Sequence, residues 1–302
     1  MHGFNLLRLS RLVCGTLVGC LFAVQIAAQP SATPNRTDTW PRDHRRIERT
    51  ETPGKHAVLA TLNGATLYVG PGVNLEKPTP LVVHFHGAPW IVEQHIANHR
   101  PKAALVTVQL GTGSRVYGKP FVDERMFTEL IGEAERSAGV KRGWSTITLT
   151  AFSAGYGAVR SILRHKANFE RVNGVLLLDG IHAGYESDRT PVSTGNSVLL
   201  KDLDAYIDLA REAAAERKYF VITHSQIHPG SYASTTECTN QLLRGLGLRR
   251  EMYVRRGPMG MQQLTRMKKG KFRVFGYAGE TAADHVDHIH AMPYWLGLLS
   301  VR

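Results

Sequence analysis

From residue 56 onward, apolar and polar positions follow a readable order. Residues 57–62 (AVLATL) and 65–69 (ATLYV) flank Asn63-Gly64. Two apolar runs around a pair that tolerates positive φ predict a β-hairpin. Residues 79–85 (TPLVVHF) form a short apolar run that stops at His86-Gly87, which predicts a buried strand entering a loop. Beyond it, runs of four to seven apolar residues at 104–110, 146–151, 175–178, 219–223 and 271–277 alternate with helical patterns at 122–138, 154–165, 201–217, 235–246 and 286–299. Short continuous apolar strands separated by helices are the mark of a parallel sheet covered on both faces. The pattern predicts an α/β domain over 54–302, with a mostly parallel central sheet, flanking helices and an opening β-hairpin.

The amino terminus reads differently. Arg8 and Arg11 precede an apolar run over residues 12–28, which closes on Ile26-Ala27-Ala28. A basic start, an apolar segment and small residues before a cut predict a signal peptide over 1–28, and hence an exported, periplasmic or secreted protein. Two other readings share the segment: a membrane anchor, and a lipid attached at Cys20 within Leu17-Val18-Gly19-Cys20. Residues 29–53, rich in Pro, Thr, Arg and Asp without apolar periodicity, read as a flexible linker.

Composition narrows the class. Of 302 residues 43% are hydrophobic and 21% charged, as in a globular rather than a disordered chain. Cys14 and Cys20 fall in the N-terminal segment, so the remainder holds only Cys238. That excludes an internal disulfide and a paired-cysteine metal motif. The net charge is +12, and its densest patch is RDHRRIER at 42–49. No zinc-finger spacing or aromatic-interleaved basic motif accompanies it, so a solvated basic surface is expected and a nucleic-acid partner is not.

The chemistry concentrates in residues 146–160, TITLTAFSAGYGAVR. A strand runs into Ala151-Phe152-Ser153-Ala154-Gly155 and a helix follows at once. A serine at the tip of such a turn is forced into a strained backbone, so its neighbours two positions away must be small. Ala151 and Gly155 are, and Gly157 is expected to let the helix pack close to the sheet. The stretch resembles the nucleophile elbow of the α/β-hydrolase family, G-x-S-x-G, with Ala151 in place of the first glycine. Residues 82–90 (VVHFHGAPW) resemble the same family's H-G-x-P loop. The resemblance spans about 79–299. It implies Ser153 as nucleophile, the backbone N–H groups of Ala88 and Ala154 as an oxyanion hole, and a histidine after the last strand as base. His285 is assigned that role, with His288, one turn on, as the alternative base. The acid follows either the strand after the elbow helix or a later one. Asp179, closing the run Leu176-Leu177-Leu178, is assigned, since residues 221–226 offer no carboxylate. Ser, Asp, His is the family's chain order.

His86, Trp90, His182, Tyr185 and His224 are expected near substrate, the last because strand ends face the crevice where such sheets bind ligands. Their polarity suggests a small-molecule or carbohydrate-linked ester, with no cofactor and no metal, and membrane contact only through the N-terminal segment. Two rival readings stand beside the serine esterase. One is a metal-dependent hydrolase using Asp284, His285, Asp287, His288 and His290, although H-E-x-x-H spacing is lacking. The other is a non-catalytic binding protein on the same fold.

Overall fold

The computed structural model describes residues 40, 42–99, 102–186 and 197–299, all within a compact unit, Thr39–Arg302. The segment read as a signal peptide lies outside the described residues. Among the described residues, no helix is long and apolar enough to cross a membrane.

A ten-stranded sheet organises the unit. Strands β1 (Lys55–Leu59) and β2 (Ala65–Val69) form the opening hairpin, β3 (Thr79–Phe85) leads to helix α1 (Pro89–Asn98), and β4 (Ala104–Val108) to α2 (Ser114–Gly118) and α3 (Glu124–Ala138). Strand β5 (Trp144–Phe152) feeds α4 (Tyr156–Leu163) and α5 (Lys166–Arg171), β6 (Gly174–Leu178) precedes α6 (Asp204–Ala214), and β7 (Tyr219–His224) precedes α7 (Thr235–Gly245). Strands β8 (Glu251–Arg256), β9 (Gln262–Lys269) and β10 (Phe272–Tyr277) come last, followed by α8 (Ala282–His290) and α9 (Pro293–Leu296). The spatial order is β1-β2-β4-β3-β5-β6-β7-β10-β9-β8. Strands β4 to β7 and β10 run parallel through β3, β5 and β6, while β1, β2, β8 and β9 join antiparallel. This is the mixed, mostly parallel and helix-covered sheet of an α/β-hydrolase fold.

Residues of alternate parity explain the two layers. Leu81, Val83, Leu149 and Leu177 face α3, α4 and α6, where Phe127, Ile131, Val159 and Tyr206 complete one core. Val82, Leu105, Leu176 and Leu178 face the other way, onto Ile91 and Val92 of α1 and Ile289, Trp295 and Leu296 from the carboxyl terminus. Central strands buried on both faces had to read as unbroken apolar runs.

Three features depart from expectation. The last helical region is two helices, α8 starting at Ala282 and a short α9 at Pro293. Strands β8 and β9 form an added edge hairpin, β8 being mostly exposed. Residues 42–53, read as part of a linker, are held against the domain. Trp40 N–H donates to Gln262 (2.8 Å), Ile47 N–H to His290 Nδ1 (3.2 Å) and Thr50 N–H to Gln94 (3.0 Å). Arg42, His44 and Arg46 of the basic patch pair with carboxylates of the domain, while Arg45 and Arg49 stay exposed.

Gly157 also behaves differently from expectation, since its close neighbour is not the sheet. A Cβ there would lie 2.1 Å from the Ser114 carbonyl oxygen of α2. Replacing Gly157 with Ala would gain about 1 kcal/mol of helix propensity. The clash is with backbone, which cannot rotate aside, so overpacking of about 1–3 kcal/mol should prevail. Urea denaturation should show Gly157→Ala less stable than wild type, and an unchanged or higher midpoint would refute this packing account.

Candidate active site

Ser153 directly follows β5 and opens a 3-10 turn, Ser153–Gly155, that runs straight into α4. Its φ is +47°, a conformation that costs a non-glycine residue about 1–3 kcal/mol. The small neighbours are required by contact. A Cβ on Gly155 would sit 2.1 Å from the Phe85 carbonyl oxygen at the end of β3, and one on Gly180 would sit 2.3 Å from the Ser153 carbonyl oxygen. Ala151 is fully buried.

The ends of β6 and α8 bring up the partners. Asp179, also at positive φ (+45°), follows β6 and is 2% exposed in its side chain, and it meets His285 Nδ1 at 2.7 Å. A carboxylate can only accept, so Nδ1 carries a proton, and in the neutral ring this leaves the lone pair on Nε2. Asp179 also accepts from Ser225 N–H (2.8 Å), Ser225 Oγ–H (2.7 Å) and Thr235 Oγ1–H (3.2 Å). Burial works to raise this carboxyl group. It is outweighed by His288, by the hydrogen bond and charge of His285 and by the Ser225 amide, which together hold it below the ordinary carboxylate range. The His285 ring lies 4.5 Å from that of Phe152, the residue before the serine.

Two lobes of one cleft meet at Ser153. The smaller, about 330 Å³, is lined by Ser153, Asp179, His285, Ile227 and Pro229, and the larger, about 580 Å³, by Ser153, Ala154, His86, Tyr156 and Arg160. His182 and Tyr232 belong to both. Burial and the His285 charge lower the pKa of His86, whose Nδ1 meets the Tyr117 hydroxyl at 2.9 Å. Burial likewise lowers that of His182.

Other expected residues lie elsewhere. Ala88 caps α1 and lines neither lobe. Trp90 lines a separate cavity with Thr50, His56 and Glu93, because the first turn of α1 carries it to that side. Tyr185 is held through its hydroxyl by Glu237 (3.0 Å). His224 is buried beneath Arg250, with Nδ1 at the Ser225 carbonyl (2.9 Å). The last residue of β7 turns away from the crevice, and Ser225, one position on, reaches Asp179 instead. His288, the alternative base, is fully buried, stacks on Trp295 at 5.8 Å and meets Thr223 Oγ1 at 2.7 Å. No atom of it lines the cleft.

The metal-type cluster on α8 does not converge. Asp287 and Asp284 face the N-terminal arm, where Arg42 pairs with both, and Arg46 and His44 with Asp287. His290 meets Ile47 and the edge of Trp90. His44, Asp284 and Asp287 are close enough together to share an ion, yet two guanidinium groups already balance these carboxylates. Sequence reasoning missed this arm, as well as Thr235 and His84. His84 bridges Thr150 Oγ1 (2.8 Å) and the His86 carbonyl (2.6 Å), so it supports the loop after β3.

No family model matches the chain, and no curated protein matches it. Solved structures similar to it include Thermogutta terrifontis esterase 2 phosphonylated by sarin (TM-score 0.46, 11% identity, 83% of this chain and 98% of that one). Carboxyl esterase 2 from the mycorrhizal fungus Tuber melanosporum has a TM-score of 0.45 at 14% identity, over 89% and 94%. A feruloyl esterase module from Clostridium thermocellum complexed with sinapinate has 0.44 at 12%, over 86% and 93%. These are likenesses of fold at low identity, and the site stands on its own geometry.

Two predictions follow from these contacts. Asp287 is 1% exposed in its side chain, so removing its cations strands a buried charge. The double variant R42A/R46A should lose about 3 kcal/mol or more of stability, read from the denaturant midpoint. The second concerns buried histidines. Burial holds His288 at about 4 and both His84 and His224 at about 3, against an ordinary 6.5. Between those limits the unfolded chain binds protons that the folded one refuses, so stability is complete above pH 6.5 and declines as pH falls toward 4. The loss is up to about 1.4 kcal/mol per pH unit per histidine. A thermal midpoint that stays flat between pH 7.5 and 5 would contradict neutral burial.

Proposed function

We propose that the protein is a serine hydrolase that cleaves carboxylic esters through an acyl-enzyme. The observation that carries this reading is the conjunction at one cleft: a serine on a strained turn, and a histidine whose Nδ1 is fixed by a buried carboxylate.

In this reading Ser153 Oγ attacks the acyl carbon while His285 Nε2 takes its proton. Asp179 holds the ring in the required tautomer and stabilises the imidazolium. Negative charge gathers on the carbonyl oxygen. The Ala154 N–H, at the start of the turn, is one donor to it. The second donor is assigned to the Ala88 N–H by the resemblance of residues 82–90 to the family's H-G-x-P loop, although Ala88 lines neither lobe, so substrate binding must bring the two together. His285 then returns the proton to the leaving alcohol, and water repeats the sequence on the acyl-enzyme. Since His285 must reach the departing oxygen, the alcohol occupies the smaller lobe and the acyl group the larger. Residues 1–28 support export, and the polar side chains His86, Arg160 and His182 in the cleft support a polar or carbohydrate-linked ester. No step requires a metal or cofactor.

A fluorophosphonate should label the wild-type protein, and Ser153→Ala should remove both the label and p-nitrophenyl ester hydrolysis. His285→Gln should lower kcat by about 10⁴-fold or more. His288→Gln takes away a buried ring but no reacting atom, so it should weaken stability and affect kcat far less. Equal collapse of kcat in both histidine variants, with folding intact, would return the role to His288. Labelling that survives Ser153→Ala would end the serine reading.

A further inference from the structure

The acyl lobe carries a charge that the chemistry at Ser153 does not use. Arg160 lies in its wall, on α4, seven residues beyond Ser153. Tyr156 sits between them, its ring 5.4 Å from the Arg160 guanidinium carbon. His182 stands edge-on to Tyr156 at 5.4 Å, and Tyr232 edge-on to His182 at 5.0 Å. A line along this wall therefore runs from nucleophile through aromatic faces to a cation.

The cation is incompletely occupied. Arg160 Nη1 makes long contacts to the His182 carbonyl (3.5 Å), the Asp202 carbonyl (3.4 Å) and Asp202 Oδ1 (3.6 Å). Asp202 places its other carboxylate oxygen on the Gly184 N–H at 2.9 Å. Arg160 Nε and Nη2 have no hydrogen-bond partner among the described residues, and neither is sealed from solvent as a buried unpaired atom. The side chain is 19% exposed. A guanidinium offers five donors in a rigid fork suited to carboxylate or phosphate, and here two nitrogens of the fork are open in a ligand-sized lobe.

We infer that Arg160 is a specificity-determining residue that binds an anionic group on the acyl part of the substrate. This rests on the esterase reading above and names its substrate class: esters of acids that carry a second, anionic terminus. Seven residues of helix span about 10 Å, and a helical side chain leans back toward the amino terminus. The anion should therefore lie roughly 5–10 Å from the scissile carbonyl. Tyr156 and His182 would flank the connecting segment.

The test compares two p-nitrophenyl esters of equal chain length, the suberate half-ester with a terminal carboxylate and the neutral octanoate. The readout is the ratio of their kcat/KM values. Arg160→Met should lower the suberate-to-octanoate ratio by about 10- to 100-fold, as expected for a hydrogen-bonded charge, mainly through KM. Arg160→Lys should restore part of it, and Asp202→Asn, which removes the competing carboxylate, should raise it. Added salt should depress the wild-type ratio. Binding of free suberate to Ser153→Ala, followed by calorimetry, reads the subsite without turnover and should be lost with Arg160→Met. A ratio that Arg160→Met leaves unchanged, or an absence of suberate binding, overturns the inference while leaving Ser153-dependent hydrolysis intact. Suberate binding without any Ser153-dependent turnover would instead remove the esterase reading and leave the anion subsite standing.

Discussion

The site depends on how closely three strand ends approach one another. The turn after β5 lies against the last carbonyl of β3 through Gly155, and the loop after β6 lies against Ser153 through Gly180. No side chain fits in either gap. His86, Ser153 and Asp179, each just past one of these strands, all hold positive φ without being glycine. Each such residue is unfavourable by about 1–3 kcal/mol, so the rest of the domain must hold them. It does so through a sheet buried on both faces and through polar groups directed at each loop: His84 on the His86 carbonyl, Ser225 on Asp179. Strain of this kind aims side chains out of the sheet edge toward a common cleft, which a relaxed turn would not do.

The central sheet was legible because burial on two faces leaves an unmistakable apolar run, and the turn at Ser153 because only small residues fit beside it. The edge was not. Strand β8, EMYVRR, is mostly exposed, so nothing in its pattern separates it from a loop, and its partner β9 is half polar. The N-terminal arm was opaque for another reason. Its arginines meet carboxylates more than 230 residues away, and a charge in sequence carries no record of a distant partner. Composition alone made the segment resemble a tether.

Within the site, chemical type was easier to read than direction. Asp179 and His285 could be chosen by their place after particular strands. His288, one turn on, stayed beside His285 as an alternative, because a helical face predicts neighbourhood and not depth. Depth is set by where α8 enters the core. His285, in its first turns, remains at the cleft, while His288 sits under Trp295 and Tyr277. The same limit misplaced His224. Side chains alternate along a strand, and a shift of one residue exchanges the crevice for the layer beneath Arg250.

Helix α8 shows how such a dense polar sequence divides its work. Its capping box, Thr281 with Asp284, secures the first turn. Successive residues then turn about 100° apart, so Asp284 and Asp287 meet the arm, His285 meets Asp179, and His288 enters the core. A run that resembles a ligand set in one dimension is dispersed into three environments by helical rotation. The consequence for the site is mechanical. The cations on the arm balance Asp284 and Asp287 on the outer side of the helix, while Asp179 holds His285 on the inner side. The imidazole is thereby fixed by contacts from both sides of the element that carries it. In the proposed mechanism His285 hands a proton between two oxygens, and that role needs this restraint, since small errors of placement in such a constellation cost rate steeply.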